Sequence, residues 1–404
     1  MAETAPQSDS CIGSGARRRT LILFCVAFLG SLAVSILSLG VLFLVKESYA
    51  AKPEDVGWLS AFNLIFYFAG CVLLRKPAGK LGPRITTAAM VFLSAAIFAL
   101  HIVFPGLPSI FIAYSLYGFL TALFWPPLEA WMTSGLEKNE LAKAASAFNL
   151  AWSIGGFIAP YLSGLLSDAG VLYPIYASIG IFIAVGILII CTKKGAPEPE
   201  RIMAPGQAER GAGGVREDHS TPLRYPAWIG GLLVYILMGV FANIFPLYAK
   251  DELHVSSATV GFALLVRAAF ATAGFWLIGR ISKWQFRKYW IVLPSAAGLL
   301  LITVLIFARS FAVFVVCLAV LGILQSIMYT NSMFYGASGA LDRARRMTVH
   351  EMLLTIGQVV GSVAGGQLYG RLSFSSIFVF TGAVFVLGFA AQIVLLHKIS
   401  TRKV

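Results

Sequence analysis

One arginine lies in the middle of a long apolar segment. Arg267 follows Ser256 by 11 residues and precedes Arg280 by 13, so in a helix it lies roughly 16 Å from the start of the segment, at about 1.5 Å per residue. A charge at that depth of a bilayer is costly unless it faces a cavity or a partner. Arg267 is therefore the first candidate for substrate contact, as a planar donor for a carboxylate or phosphate. The alternative is a structural ion pair, although no acid in the apolar segments lies at a matching depth.

Other polar and aromatic residues are spaced to share helix faces. Tyr117, Thr121 and Trp125 are four residues apart, which places them on one face of a helix. An aromatic stripe serves packing more often than binding, but amide and hydroxyl groups in other segments favour a pocket wall. The remaining candidates for this wall are Asn63, Tyr235, Asn243, Gln325 and Tyr329.

Two acids lie within apolar segments, and each is a candidate proton carrier. Glu351 follows His350 directly, and its alternative role is an interfacial salt bridge to Arg345 or Arg346. Glu129 comes shortly after a Trp-Pro-Pro sequence, where helix capping or solvation in a loop is the simpler interpretation.

The sequence offers neither a catalytic cluster nor a metal or cofactor site. The five histidines are scattered, and the five cysteines lack the paired spacing of metal ligands. A Walker A phosphate loop is also missing, so ATP is not expected to drive this protein. We therefore expect no catalytic residues, no bound metal and no cofactor.

The elements that would position the candidates are membrane-spanning helices. Of the 404 residues, 58% are hydrophobic and 12% charged, which excludes a soluble enzyme, a disordered chain and a disulfide scaffold. Polar stretches separate twelve apolar runs, each near the 20 residues that a bilayer crossing needs. The predicted helices are 20–45, 55–75, 84–104, 108–133, 142–166, 171–191, 226–249, 256–280, 289–308, 311–335, 348–370 and 375–397.

A polar stretch rich in proline, glycine and charged residues divides the helices into two sets of six, and the composition of this stretch predicts a mobile linker. The predicted domains are a disordered cytoplasmic tail (1–19), a six-helix bundle (20–191), a cytoplasmic linker (192–225), a second six-helix bundle (226–397) and a cytoplasmic tail (398–404).

The basic residues predict the orientation in the membrane. Of the 31 lysines and arginines, 25 fall in segments that face inward if the N-terminus is cytoplasmic, and five fall in outward loops. This bias predicts a multi-pass protein of the plasma (inner) membrane with both termini in the cytoplasm. The net charge of +13 is explained by insertion beside anionic lipid, so nucleic acid is not an expected partner.

The second half of the sequence repeats the first at an offset of 204. Lys46-Glu47 recurs as Lys250-Asp251, and Val56-Gly57 recurs as Val260-Gly261. After a contraction by two residues, Gly155 in the run at 142–166 matches Gly357 in the run at 348–370. Two parallel repeats of six helices are one architecture of membrane transporters. The same register pairs Asn63 with Arg267, which predicts an asymmetric polar pair across a central cavity.

Basic loops after the second helix of each half complete a resemblance to the major facilitator superfamily, which covers nearly the whole chain. The family's loop signature is degraded in both halves, because Gly79 and Lys283 stand where it usually has Asp. An acidic latch is therefore not implied. The resemblance implies gating loops, with fixing of topology as the alternative role; their basic residues are Arg75, Lys80, Arg84, Arg280, Arg287 and Lys288.

The resemblance implies an all-α membrane protein, with twelve helices in two pseudo-symmetric bundles, that transports a small solute by alternating access. A lone arginine in helix eight, with Lys46 ending helix one, is similar to the monocarboxylate transporters and implies an organic anion. Their acid one turn before the arginine is Ala263 here. The expected partners are the substrate, the lipid bilayer and a co-transported proton or cation, and the expected state is a monomer.

Three alternatives remain open. A multidrug antiporter would exchange lipophilic cations for protons, but the helix-four arginine usual in such proteins is missing between Tyr114 and Tyr117. A receptor or scaffold could keep the fold without transporting. An intramembrane enzyme would need a clustered nucleophile and base.

Overall fold

In the computed structural model, all regular secondary structure of the described residues is helical. The structure describes the backbone of residues 9–133, 138–192, 220–281, 283–340 and 343–401. Within these ranges it describes the side chains outside 9–20, 129–130, 133, 138–147, 149 and 343–344.

Fifteen α-helices follow one another in these described ranges, and a π-helical turn, Val240–Ile244, joins α9 to α10. The helices are α1 Asp9–Tyr49, α2 Pro53–Leu73, α3 Arg75–Leu81, α4 Pro83–Val103, α5 Leu107–Thr121, α6 Trp125–Thr133, α7 Lys138–Ala169, α8 Tyr173–Ile190, α9 Arg224–Gly239, α10 Phe245–Asp251, α11 Ser257–Arg280, α12 Tyr289–Phe307, α13 Phe311–Ala337, α14 Arg343–Arg371 and α15 Phe374–Thr401.

Eleven segments of the described chain are long and apolar enough to cross a membrane. The twelfth predicted helix is present as α14, whose 29 residues include polar groups and several glycines that lower its hydropathy. The prediction of an all-α membrane protein is confirmed, and the count of twelve is close.

Several elements differ from the sequence prediction, and one is the short helix α3, which lies in the basic loop predicted between residues 75 and 84. Helix α1 begins at Asp9, inside the tail expected to be disordered. The helix predicted at 108–133 is interrupted by a turn at 122–124, just before Pro126 and Pro127, because proline cannot supply the backbone donor that a continuous helix requires. The helix predicted at 226–249 contains the π-helical turn.

The described residues divide into two compact units. The first unit takes those within Met1–Ser38, Ile65–Ala159 and Pro174–Ile202; the second takes those within Leu39–Leu64, Pro160–Tyr173 and Met203–Val404. This division differs from two six-helix bundles because parts of α1, α2 and α7 pack with the second half of the chain. The bundle, linker and tail boundaries stay predictions.

Each unit contains the same close helix contact at positions that the sequence repeat relates. In the first unit, a Cβ added to Gly155 would lie 2.5 Å from the carbonyl oxygen of Phe28. In the second unit, a Cβ added to Gly357 would lie 2.6 Å from the carbonyl oxygen of Leu232. Only glycine permits this approach of two backbones, so the repeat in the sequence is also a repeat in packing.

Within the second unit, a further pair of glycine contacts joins helices of the two halves reciprocally. A Cβ added to Gly57 of α2 would lie 2.6 Å from the carbonyl oxygen of Ser362 in α14. Its counterpart Gly261 of α11 meets the carbonyl oxygen of Pro160 in α7 in the same way. Each contact is therefore made twice, once in each direction.

Four charged residues near these glycines form reciprocal ion pairs. Lys46 Nζ lies 2.6 Å from Asp251 Oδ2, and Lys250 Nζ pairs with Glu47 Oε1. The two pairs exchange under the offset of 204, since Lys46-Glu47 ends α1 and Lys250-Asp251 ends α10. We call these four residues, with Gly57 and Gly261 and the backbones they touch, the outer contact, because the sequence predicts that they face outward.

An acid from the first half also caps a helix of the second half. Asp168 near the end of α7 accepts hydrogen bonds from the backbone N–H groups of Ser257 (2.8 Å) and Ala258 (2.9 Å). These groups begin α11, where a helix presents unpaired donors and a partial positive charge. The carboxylate therefore fixes the start of the helix that carries Arg267.

Candidate functional site

Helix α11 holds Arg267 about midway along its length. The helix starts at an N-cap, Ser256, whose hydroxyl accepts from the backbone N–H of Thr259 at 3.2 Å, and it runs without a break to Arg280. The side chain of Arg267 is partly buried. A single continuous helix therefore carries Arg267 near its middle, and the depth of Arg267 in the bilayer stays a prediction.

The guanidinium of Arg267 is bound by neutral groups. Its Nη1 donates to Gln325 Oε1 at 2.6 Å and lies 3.6 Å from Met238 Sδ. Among the side chains that the structure describes, no carboxylate comes within ion-pair distance of Arg267. Amide and thioether dipoles hold this charge without neutralising it.

Two tyrosines extend the group around Arg267. The hydroxyl of Tyr235 lies close to the side chains of Gln325 and Arg267. The ring of Tyr235 is 6.3 Å from that of Tyr329, between centroids. We call Arg267, Gln325, Tyr235, Tyr329 and Met238 the inner cluster; it draws on helices α9, α11 and α13.

A glycine explains why α11 and α13 come close enough for this hydrogen bond. A Cβ added to Gly322 of α13 would meet the carbonyl oxygen of Arg267 and lie 2.9 Å from the backbone nitrogen of Ala271. Three residues after Gly322, at a helical spacing that shares its face, Gln325 points at the guanidinium. The close approach of the two backbones therefore sets the donor–acceptor distance.

The structure brings together four of the nine predicted pocket residues. Two others belong to the second unit: Asn243, in the π-helical turn, donates from Nδ2 to Ser362 Oγ at 2.7 Å, and Asn63 is partly buried in α2. The sequence missed Met238, although it follows Tyr235 by three residues and so shares its helix face.

The other three predicted pocket residues belong to the first unit. Tyr117 is 2% exposed and packs against Phe98, with ring centroids 5.6 Å apart. Thr121 donates its hydroxyl proton to the backbone carbonyl of Tyr117 at 2.8 Å. Trp125 is partly buried and makes an edge contact with Phe124. Their role as a pocket wall stays a prediction.

The acid predicted to carry a proton lies beside a buried histidine. His350 and Glu351 are neighbours in α14, with His350 Nε2 3.9 Å from Glu351 Oε1. The other ring nitrogen, Nδ1, lies 2.8 Å from Ser332 Oγ of α13, a partner that sequence spacing does not reveal. The side chain of Glu129 lies outside the described part of the chain.

Three of the six predicted gating residues are bound within their own units. Arg84 Nε donates to the carbonyl of Ile189 at 3.3 Å, at the end of α8. Its counterpart Lys288 bonds the hydroxyl of Ser400 near the end of α15. Arg280 lies over the ring of Trp276, at 3.9 Å from the centroid. The side chains of Arg75, Lys80 and Arg287 are exposed.

Two further features bear on what the chain could bind. An apolar groove of about 460 Å³ in the second unit contains none of the predicted site residues; its lining is Tyr225, Trp228, Ile229, Leu232, Leu353 and Leu395. Within the described residues, no group of three His, Cys, Asp or Glu side chains is placed to hold a metal ion.

A family model described as Major Facilitator Superfamily matches residues 23–340 and, in a second alignment, 227–403. The chain belongs to the major facilitator superfamily. A curated relative named as an uncharacterized MFS-type transporter, from Mycobacterium tuberculosis (strain ATCC 25618 / H37Rv), is 24% identical over 293 residues, which is 67% of each chain.

Solved structures of the superfamily share the fold. A bacterial homolog of the human lysosomal transporter Spinster, in an inward-facing and unoccupied conformation, has a TM-score of 0.76 at 14% identity, covering 96% of this chain and 98% of that one. The nucleoside transporter NupG has a TM-score of 0.70 at 12% identity (93% and 98%). A POT family transporter bound to a thioalcohol-conjugated peptide has 0.71 at 13% (95% and 96%).

Membership of the superfamily makes this protein a multi-pass membrane transporter of a small molecule. It is a transporter rather than an enzyme, as the scattered histidines predicted. Because the solved structures differ among themselves in substrate, the superfamily fold leaves the chemistry of this substrate to the residues of its own site.

Proposed function

We propose that this superfamily member is a secondary transporter of a small organic anion, which binds at Arg267. The observation that carries the proposal is the pairing of this guanidinium with the amide of Gln325 and the thioether of Met238. A charge within the membrane is retained at a cost and marks a substrate or ion path by default. A carboxylate on the substrate would supply the missing counter-charge.

The guanidinium has five donors in a planar fork, and only Nη1 is engaged by the two neutral partners. The donors that remain suit a bidentate bond to a carboxylate or phosphate. Tyr235 and Tyr329 would line the apolar part of the substrate, since aromatic walls with a few polar groups are typical of ligand sites. The contributions of Asn63, Asn243, Tyr117, Thr121 and Trp125 stay predictions.

Alternating access is the second part of the proposal. It requires the outer contact to open and close, with the basic inner loops at the other side of the membrane. The paired side chains of the outer contact remain 22% to 34% exposed, and ion pairs of this kind contribute only about 0.2–1 kcal/mol each. Ion pairs this weak can stabilise the state in which the outer contact is closed and still allow the contact to open. Cytoplasmic termini, the inner membrane, a monomeric state and a coupled proton or cation are part of the same proposal.

The test is ligand-induced thermal stabilisation of the purified protein with lactate, citrate, glucose, uridine and tetraphenylphosphonium. We expect one of the anions to stabilise the wild type. Arg267→Lys keeps the charge but loses the fork, so affinity should fall roughly tenfold, given about 1.5–3 kcal/mol for a hydrogen bond to a charged group. Arg267→Gln should lose about two such bonds and bind roughly a hundredfold more weakly.

The matched control is Arg309→Gln. Arg309 also carries a charge in the second unit, but it bonds the carbonyl of Ala308 and the hydroxyl of Ser375, so its loss should leave anion binding unchanged. Tighter binding of tetraphenylphosphonium to Arg267→Gln, with anion binding unaltered, would overturn the proposal in favour of the multidrug antiporter.

A further inference from the structure

We propose that His350 and Glu351 together form the proton-binding site of the transporter, coupled to the inner cluster through Tyr329 and Tyr235. The inference rests on the proposed transport of an anion at Arg267 and deepens it, because it assigns the proton to a particular pair of bases. The sequence singles out only the acid of this pair.

One nitrogen of the imidazole is fixed by a buried hydroxyl. The side chain of His350 is 1% exposed, and Nδ1 lies 2.8 Å from the fully buried Ser332 Oγ. Ser332 is itself held in place by α9, since a Cβ added to Gly231 would lie 2.9 Å from its Oγ. The hydrogen bond at Nδ1 orients the ring and leaves Nε2 to a second partner.

That second nitrogen is buried and faces a carboxylate at a distance too long for a hydrogen bond. Nε2 of His350 has no hydrogen-bond partner in the described part of the chain, and Oε1 of Glu351 lies 3.9 Å away. A buried polar atom without a partner is uncommon in native proteins and needs an explanation. A proton on Nε2 would make an imidazolium that donates a charge-assisted hydrogen bond to the carboxylate after an approach of about 1 Å.

The protonation step is balanced and needs no other reactant. Neutral His350 carries its proton on Nδ1, which then donates to Ser332 Oγ, so a hydronium ion can give a proton to the lone pair of Nε2, leaving water and an imidazolium beside the carboxylate. The side chain of Glu351 is 65% exposed near the end of α14 that the sequence predicts to face inward, so we assign Glu351 the exchange of the proton with the cytoplasm. His350 cannot do this alone, because its ring is enclosed.

The groups around the pair connect it to the inner cluster. From α13, the ring of Tyr329 meets the imidazole edge-on, 5.0 Å between centroids. From α9, Tyr235 lies close to Glu351 and to Gln325, and Gln325 Oε1 accepts a hydrogen bond from Arg267. On α14 itself, Arg345 and Arg346 precede the pair by about one turn.

Contacts therefore lead from Arg267 to His350 without leaving the second unit. An anion at Arg267 cancels a positive charge, which makes a second positive charge on the imidazole less unfavourable. By linkage, a proton on His350 strengthens binding of the anion by the same factor. The expected consequence is that anion and proton move together.

The first test observes the histidines directly, with no substrate. In ¹⁵N-imidazole NMR of the full chain in detergent, the His350 signal, identified because His350→Gln removes it, should change protonation state between pH 4 and 9. The titration of His350 should change in Glu351→Gln and in Ser332→Ala, two variants that keep the imidazole ring of His350. Failure of the His350 signal to titrate in the wild type would overturn the inference, whatever the substrate is.

The second test uses lactate in proteoliposomes, or another anion that binds in the thermal-shift screen. Wild type should accumulate it under an imposed proton gradient. His350→Gln and Glu351→Gln should reduce gradient-driven accumulation at least tenfold yet preserve counterflow exchange. The matched control is His101→Gln, since His101 is also buried (2% exposed) with Nδ1 3.0 Å from a serine hydroxyl, Ser109; accumulation should survive there.

The outcomes separate the two proposals. If no anion binds the wild type, the proposed function fails while the NMR experiment still judges the proton site. If anions bind and Arg267→Gln abolishes binding, but His350→Gln still accumulates substrate under the gradient, the proposed function stands and the proton site is wrong. Should His350→Gln fail to fold, Ser332→Ala replaces it, and unchanged coupling in Ser332→Ala together with Glu351→Gln contradicts the inference.

Discussion

The outer contact and the inner cluster handle positive charge in opposite ways. In the outer contact, Lys46 and Lys250 each have a carboxylate partner, and the two pairs exchange under the sequence repeat. In the inner cluster, the cation occurs once, and its partner is an amide. The position that the repeat pairs with Arg267 is Asn63.

Under the proposed function, this difference separates residues that hold the helices together from residues that bind the substrate. Features present in both halves hold helices together. Gly155 with Gly357, and Gly57 with Gly261, let two backbones approach closely, and the reciprocal ion pairs of the outer contact match each lysine with an acid. The inner cluster consists of residues that one half has and the other lacks. Helix contacts that occur in both halves can therefore support a cluster of residues that occurs in only one half.

The largest effect is expected from giving the inner cluster its own carboxylate. Gln325→Glu places an acid 2.6 Å from the guanidinium and so converts this region to the kind of pairing seen in the outer contact. The fixed carboxylate would occupy the donors that an anionic substrate needs. Anion affinity should fall roughly tenfold or more, the value of one charged hydrogen bond, while the ligand-free protein melts at a higher temperature.

Isothermal titration of the same anions and a melting curve without ligand measure both effects. Gln325→Met is the control, because it keeps the volume and removes the acceptor without adding charge. The distinction between the two regions is wrong if Gln325→Glu binds anions as well as the wild type does.

A smaller effect should follow from separating α11 and α13. In Gly322→Ala, the new methyl group meets the carbonyl oxygen of Arg267, so the helices must part or strain. Overpacking of this kind costs about 1–3 kcal/mol, and both melting temperature and anion affinity should fall. In Gly279→Ala, at the end of α11, an added Cβ meets no atom within 4 Å; equal losses in the two variants would contradict the role of Gly322.

The smallest effect concerns the outer contact. Lys46→Asp places a third acid beside Glu47 and Asp251, so one exposed pair is lost at a cost of about 1 kcal/mol. Initial uptake rates in proteoliposomes should change about fivefold, and the exchanged double variant Lys46→Asp/Asp251→Lys should recover most of the change. If the double variant is no better than the single one, the two side chains do not act as a pair.

The sequence predicted the membrane-spanning helices and their repeat well, because these features depend on residues that are close together in the sequence. Run length and hydropathy determine which segments cross a bilayer, and the offset of 204 relates the halves. The depth of Arg267 follows from counting residues along one helix. The alignment of Gln325 with a face of the matching helix placed its amide among the candidates before its distance to Arg267 was known.

The rest depended on contacts between helices that are distant in sequence. The approach of Ser332 to His350 spans 18 residues and two helices, and nothing in their spacing predicts it. The pairing of Asn243 with Ser362 spans 119 residues. A pattern of polar residues shows which of them share a face of one helix. Only the packing of the helices decides which neighbouring helix that face contacts.

The π-helical turn at Val240–Ile244 has a consequence for how the two halves diverged after duplication. Its counterpart in the first half lies within α1, which is α-helical throughout. Both stretches have the same number of residues, because the offset of 204 relates Phe28 to Leu232 before them, through the matching contacts of Gly155 and Gly357, and Lys46 to Lys250 after them. The wider turn therefore rotates the side chains before it relative to those after it, without inserting or deleting a residue. Two copies of one repeated helix can thus point the side chains of matching positions in different directions, although the alignment of the two copies contains no gap.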